Sequence, residues 1–382
     1  MKYPLASDTW DEREKEALYK VIESGRYTMG PKVEEFEEKF AKKFGVKHAI
    51  MVNSGSSANL LMIASLAHLG VFPPDAEIIV PAVSWSTTYF PVHQLGLKLV
   101  FVDVDASLNI DPWDIIPHIT DRTEAILAVN LLGNPCDMET LQYICRENNI
   151  MLLEDNCESL GATYRGKYAG TFGEVGTFSF FFSHHLQTME GGMVVTNNDY
   201  IAEIVRSMRA HGWTRNLKTD LLYKNTGNPF KDSFTFITPG YCLRPLEMSG
   251  AVGCVQLDKM DDMISMRRKN AEYFREKIPN DCSIKLQKVT EHSDPSWFGF
   301  SMIVDNRDSF VDHLYANGIE SRPIVSGDFT QQPVMKYLNY SCSSVLHYSK
   351  MVQKCGLFVG NDSIDIKDRI DHFSDVIGAF DA

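Results

Sequence analysis

Between residues 48 and 196 short apolar runs alternate with helical patterns, and few folds accommodate that alternation. Residues 48–52, 77–80, 99–104, 125–130, 150–154, 177–181 and 193–196 each read as a strand. The runs are nearly continuous in apolar residues, so both faces of their sheet must be covered. Helical patterns between them, such as residues 138–148, supply the cover. The expected architecture is therefore an α/β fold with a mostly parallel sheet flanked by helices. In such a sheet ligands bind beyond the C-terminal ends of the strands, and the chemistry is sought there.

The flanking segments complete the organisation. Residues 1–45 read as two helices. Thr9 and Glu12 suit a capping box for the first, Gly25 its stop, and Pro31 the first turn of the second. Val33, Phe36, Phe40 and Phe44 recur there at helical spacing. A helical stretch at 250–277 opens a region of shorter elements. The 382 residues are thus expected to divide into a large domain, 1–250, and a smaller C-terminal α/β domain, 251–382. Residues 216–231 read as a loop.

Charge and cysteine usage exclude several functions. With 37 Lys and Arg against 50 Asp and Glu, the formal net charge is −13. That excludes a protein whose main partner is a nucleic-acid backbone, but not one with an anionic small ligand in a locally positive pocket. The start, from Met1 to Trp10, has no apolar signal core, and no stretch approaches the length of a membrane span. The expected location is the cytoplasm. None of the eight cysteines forms a Cys-x-x-Cys or Cys-x-Cys pair, so no zinc or iron–sulfur site is expected.

Four segments carry chemistry. Asn53-Ser54-Gly55-Ser56-Ser57-Ala58-Asn59 joins a strand to a helix and reads either as a serine-capped turn or as a phosphate cradle at a helix N-terminus. Trp85, after the second strand, suits either the core or a stack on an aromatic ring. Leu152-Leu153-Glu154-Asp155-Asn156-Cys157-Glu158 runs from an apolar strand into acids. Asp155 there can cap a turn or pair with a cationic heterocycle nitrogen. Ser179 to Gly192 brings two histidines, His184 and His185, ahead of a Glu190-Gly191-Gly192 turn. Histidine is the side chain best matched to proton transfer near neutral pH. Adjacent histidines rarely point at one ion, which disfavours a metal.

In order and spacing, the four segments resemble the DegT/DnrJ-type family of sugar aminotransferases and dehydratases, across essentially the whole chain. The resemblance implies the fold-type-I architecture of pyridoxal-phosphate (PLP) enzymes and a homodimer with its site at the subunit interface. It implies that Gly55, Ser56 and Ser179 hold the cofactor phosphate, Trp85 stacks on the pyridine ring, and Asp155 salt-bridges the ring nitrogen. Glu158 would lie near the ring hydroxyl. His211, Arg215 and Arg244 become candidate contacts for substrate or phosphate, with Arg322 a weaker one.

One departure bears on the reaction. Family aminotransferases carry a lysine six residues before the acid of the Glu-Gly-Gly turn; here that position is His184, and no lysine lies between Lys167 and Lys218. An imidazole cannot form a Schiff base, so pyridoxal or pyridoxamine phosphate is expected to bind noncovalently. Histidine here resembles the dehydratase branch, which removes the 3-hydroxyl of nucleotide-linked 4-keto-6-deoxy sugars. The implied substrate is GDP-4-keto-6-deoxymannose, with glutamate as amino donor and dideoxysugar synthesis of the colitose type, for surface polysaccharide, as the setting. His184 would act as base and then as acid. A second departure is Cys242, where the family usually has an asparagine that reaches the neighbouring subunit's cofactor phosphate. A nucleotide-sugar 4-aminotransferase would need the missing lysine. A non-catalytic ligand sensor of the same fold would be expected to have lost Asp155, Trp85, Ser179 and Gly55.

Overall fold

The structure is a computed structural model and describes residues 1–278 and 284–380, so Cys282 lies outside the described residues. Helix α1, Glu12–Ser24, begins two residues later than the expected capping box. Asp11 is the N-cap, and Glu14 returns a bond to the Asp11 amide. The Thr9 hydroxyl is instead held by Gln256 Oε1 at 2.9 Å, which takes it out of the competition for the cap. Gly25 closes the helix in the left-handed region, as its position suggests.

Helix α2, Pro31–Phe44, starts at a proline and buries Val33, Phe36, Phe40 and Phe44. Its N-cap, Gly30, offers no side chain. The Glu247 carboxylate takes that role, accepting from the Lys32 amide at 2.6 Å and the Val33 amide at 3.3 Å. Glu247 opens the 31-residue helix Glu247–Lys277, so the starts of the two helices are tied together.

The strands β1 (His48–Val52), β2 (Glu77–Pro81), β3 (Lys98–Val102), β4 (Thr123–Val129) and β5 (Met151–Asp155) alternate with helices α3 (Gly55–His68) and α4 (Ser86–Gln94) among others. They belong to an eight-stranded sheet. Its order is β1, Gly192–Thr196, Val175–Ser179, β5, β4, β2, β3, Tyr340–Cys342. All neighbours are parallel except Gly192–Thr196, which runs against both β1 and Val175–Ser179. The C-terminal ends of β1, β2, β5 and Val175–Ser179 therefore share one edge.

A second, four-stranded antiparallel sheet pairs Ile284–Leu286, Gly299–Val304, Gly356–Gly360 and Ser321–Arg322. Two segments sit far from their sequence neighbours. Tyr3 is fully buried in the core beside this second sheet and donates to the Gly360 carbonyl at 2.7 Å. Tyr340–Cys342, from the C-terminal third, extends the large sheet beyond β3. Among the described residues no helix is long and apolar enough to cross a membrane.

Candidate active site

The shared strand edge collects the first group of expected residues. Ser54 caps α3, its hydroxyl accepting from the Ser57 amide at 3.1 Å. That leaves the amides of Gly55 and Ser56 at the positive end of a 14-residue helix with no protein acceptor among the described residues. Gly55 has to be glycine. A Cβ there would lie 2.6 Å from Ser179 Cβ and 2.9 Å from Cys157 Sγ. The small residue thus lets the helix start touch the end of the neighbouring strand, where Ser179 stands. Ser56 is exposed, with its hydroxyl 3.0 Å from Thr87 Oγ1.

Asp155 ends β5 and is 4% exposed. Its Oδ2 accepts from Asn59 Nδ2 at 2.7 Å and Thr88 Oγ1 at 2.8 Å, and its Oδ1 from the Cys157 amide at 3.1 Å. All three donors are neutral, and among the described residues it forms no ion pair. Thr177 in turn donates to Asn59 Oδ1 at 2.6 Å and fixes which way that amide faces. Asn59 closes the segment 53–59, Thr177 opens the strand read at 177–181 and Thr88 follows Trp85 by three residues, but no motif separates them from ordinary polar helix and strand residues. Trp85 is the N-cap of α4 and 58% exposed, so it is not a core tryptophan.

His184 sits in the turn after Val175–Ser179. Its Nδ1 is 2.8 Å from the Cys157 carbonyl oxygen. A carbonyl only accepts, so Nδ1 carries the hydrogen and Nε2 keeps the free lone pair of the neutral ring. Burial pushes the imidazole down to about 4, partly opposed by the Cys157 carbonyl and the Asp155 charge. It is therefore neutral at pH 7. Glu158 accepts from the Leu132 amide at 3.1 Å, and burial pushes its carboxyl up to about 7. His185 is buried, and its Nε2 donates to the Ser296 carbonyl at 3.2 Å.

His211, Arg215 and Arg244 form a second group around Trp213. The His211 ring meets the indole edge-on at 5.2 Å, and the guanidinium groups of Arg215 and Arg244 lie 4.2 and 5.7 Å from its centroid. One bond ties this group to the first: Asn53, just before the cap of α3, donates to the Leu243 carbonyl at 3.0 Å. Cys242 is exposed, with Sγ 3.7 Å from Arg244 Nη2. Arg322 belongs to neither group. It lies on the second sheet, 3.7 Å from Glu320.

A strand edge of this composition on this topology defines a class. The DegT/DnrJ/EryC1/StrS aminotransferase family matches residues 8–356, and the chain belongs to it. Within the family it is 49% identical to GDP-4-keto-6-deoxy-D-mannose 3-dehydratase of Escherichia coli O55:H7, over 99% of this chain and 100% of that protein. It is 47% identical to the enzyme of the same name from Yersinia pseudotuberculosis, over 99% and 98%. Two solved structures of GDP-4-keto-6-deoxymannose-3-dehydratase superpose with a TM-score of 0.95 at 48% identity, each covering 98% of this chain. One, a His→Asn mutant covered in full, has GDP-perosamine bound; the other, 99% covered, has a trapped PLP-glutamate geminal diamine.

Proposed function

We propose that the chain removes the 3-hydroxyl from a nucleotide-linked 4-keto-6-deoxyhexose, GDP-4-keto-6-deoxy-D-mannose being the substrate its relatives' names point to. Pyridoxal or pyridoxamine phosphate, held noncovalently, is its cofactor, and glutamate its amino donor. The observation that carries this reading is the state of His184: a neutral ring whose Nδ1 is tied down and whose Nε2 is free, at a position where tethering would need a lysine.

The residues at this edge fit the cofactor. A buried carboxylate surrounded only by neutral donors has no countercharge, and Asp155 would find one in a protonated pyridine nitrogen. The open amides of Gly55 and Ser56, with the Ser179 hydroxyl, suit a phosphate. The exposed face of Trp85 suits a stacked ring. Bound there, the group would supply an amine for the sugar ketone and a ring that accepts electrons. The chain's own residues do the rest. Asp155 keeps the ring nitrogen charged, and Asn59 and Thr88 orient that carboxylate. His184 Nε2 takes up a proton as base and delivers it as acid to the departing 3-hydroxyl. A positioned general acid–base group of this kind contributes about 10²–10⁴-fold. Glu158 hydrogen-bonds beside the ring hydroxyl, while His211, Arg215 and Arg244 contact substrate or phosphate.

The same reading places the chain in dideoxysugar synthesis of the colitose type, in the cytoplasm, as a homodimer. Phe234 and Phe236 support the dimer, since both are more than half exposed beside the Trp213 group, Phe234 under the Arg215 guanidinium and Phe236 bridged to Trp213. Substitution of His184 by asparagine tests the reading. Elimination of the 3-hydroxyl is expected to fall by at least about 10²-fold while cofactor absorbance on binding is kept. Elimination at an undiminished rate would remove His184 from the reaction.

A further inference from the structure

The bond to Cys157 fixes one atom of the His184 ring but not its plane. Phe181 touches the ring edge-on at 6.0 Å, yet it belongs to the same turn and moves with it. Among the described residues, the other ring contact comes from elsewhere. Phe298, which precedes the strand Gly299–Val304 of the second sheet, meets His184 at 5.2 Å with an 83° interplanar angle. It also meets His185 at 5.7 Å.

The backbone of Phe298 reaches the other titratable group. Its amide donates to the Leu132 carbonyl at 3.0 Å. Leu132 is held at φ +52°, a conformation a leucine keeps only where the surrounding structure imposes it. The Leu132 amide is the donor to Glu158. Phe298 is itself anchored. Buried Arg267 donates to the Trp297 and Phe298 carbonyls, both at 3.3 Å, and Asn361 Nδ2 donates to the Trp297 carbonyl at 2.9 Å.

We infer that Phe298 is a positioning residue: its ring holds the plane of the His184 imidazole, and its amide holds the Leu132 turn that addresses Glu158. The inference rests on the proposed role of His184. The geometry makes the second sheet a part of the proton-transfer apparatus, although none of its strands carries a reacting group.

The test uses the full-length chain carrying Phe298→Leu, Phe298→Met or Phe298→Tyr. Leucine and methionine fill the space without a ring edge; tyrosine keeps the edge. The first two are expected to lower kcat about tenfold with KM within twofold, because small misplacements of a reacting group are expensive. Tyrosine is expected to stay within twofold of the native chain in both. Nitrogen-15 NMR of the imidazole, assigned with His184→Asn and recorded without cofactor or substrate, reads the ring directly. All these chains should keep the Nδ1–H tautomer that the Cys157 bond sets, and relaxation of the imidazole nitrogens should show added ring motion in the leucine and methionine variants. Imidazole relaxation unchanged from the native chain in both variants, whatever their kcat, would overturn the inference. The spectrum needs no turnover, so it judges Phe298 separately from the dehydration reading.

Discussion

Burial drives His184 and Glu158 in opposite directions along the pH axis, and both toward the neutral form. The consequence for stability can be separated by sign. Glu158 moves from 4.5 to about 7, so the folded chain holds its proton more tightly than the unfolded one. Its contribution is present below pH 4.5 and is lost as pH rises through about 7. A difference of 2.5 units corresponds to roughly 3 kcal/mol. His184 moves from 6.5 to about 4 and works the other way, adding stability as pH rises through nearly the same window. Glu158→Gln should therefore gain stability relative to the native chain as pH rises from 4.5 to 7. Urea denaturation of the unloaded protein at both ends checks this; parallel profiles would contradict it.

At this scale the sequence was uneven as a guide. Gly55, Asp155 and Ser179 stand out because strand-to-turn transitions place small or acidic residues at a predictable edge. Asn59 and Thr88, which orient Asp155, look like ordinary polar helix residues until the fold brings three chain segments together. Phe298 carries no sequence signal at all.

Among the elements, β1 deserves the closest reading, because it leads directly into the Gly55 turn. Its position depends on a buried ion pair. Arg209 Nη1 lies 2.6 Å from Glu37 Oε1, and the same guanidinium donates to the Met51 carbonyl at 2.6 Å. Glu37 also accepts from the Met51 amide at 2.8 Å. Both side chains are almost fully buried. Removing one partner leaves an uncompensated charge, typically a loss of about 3–5 kcal/mol. Glu37→Ala is expected to lose that much, read by denaturant unfolding, and to weaken cofactor binding because Gly55 shifts with β1. A loss below about 1 kcal/mol would show that the pair does not brace the strand. Strands and helices of the large sheet were largely legible, since apolar continuity and helical spacing act locally. The first helix start was misplaced because Thr9 is engaged by Gln256, a partner 247 residues away.

Across the whole molecule, the parts that sequence order concealed are those that tie the two sheets together. Tyr3 buries itself beside the second sheet, Tyr340–Cys342 joins the first, and Ser296 to Phe298 reaches from the second toward the turn that carries His184 and His185. Such pairings are set by tertiary packing between distant segments, and no local periodicity announces them. The net charge of −13 likewise says nothing of the Arg215 and Arg244 guanidinium groups gathered at Trp213.

The central claim concerns the reaction itself. The purified chain is loaded with pyridoxamine phosphate and given GDP-4-keto-6-deoxymannose with glutamate in excess, and ammonia and sugar products are measured together. The account predicts one ammonia released per sugar consumed, and a 3-deoxy ketone as product. A stable 4-amino sugar formed without ammonia would contradict it.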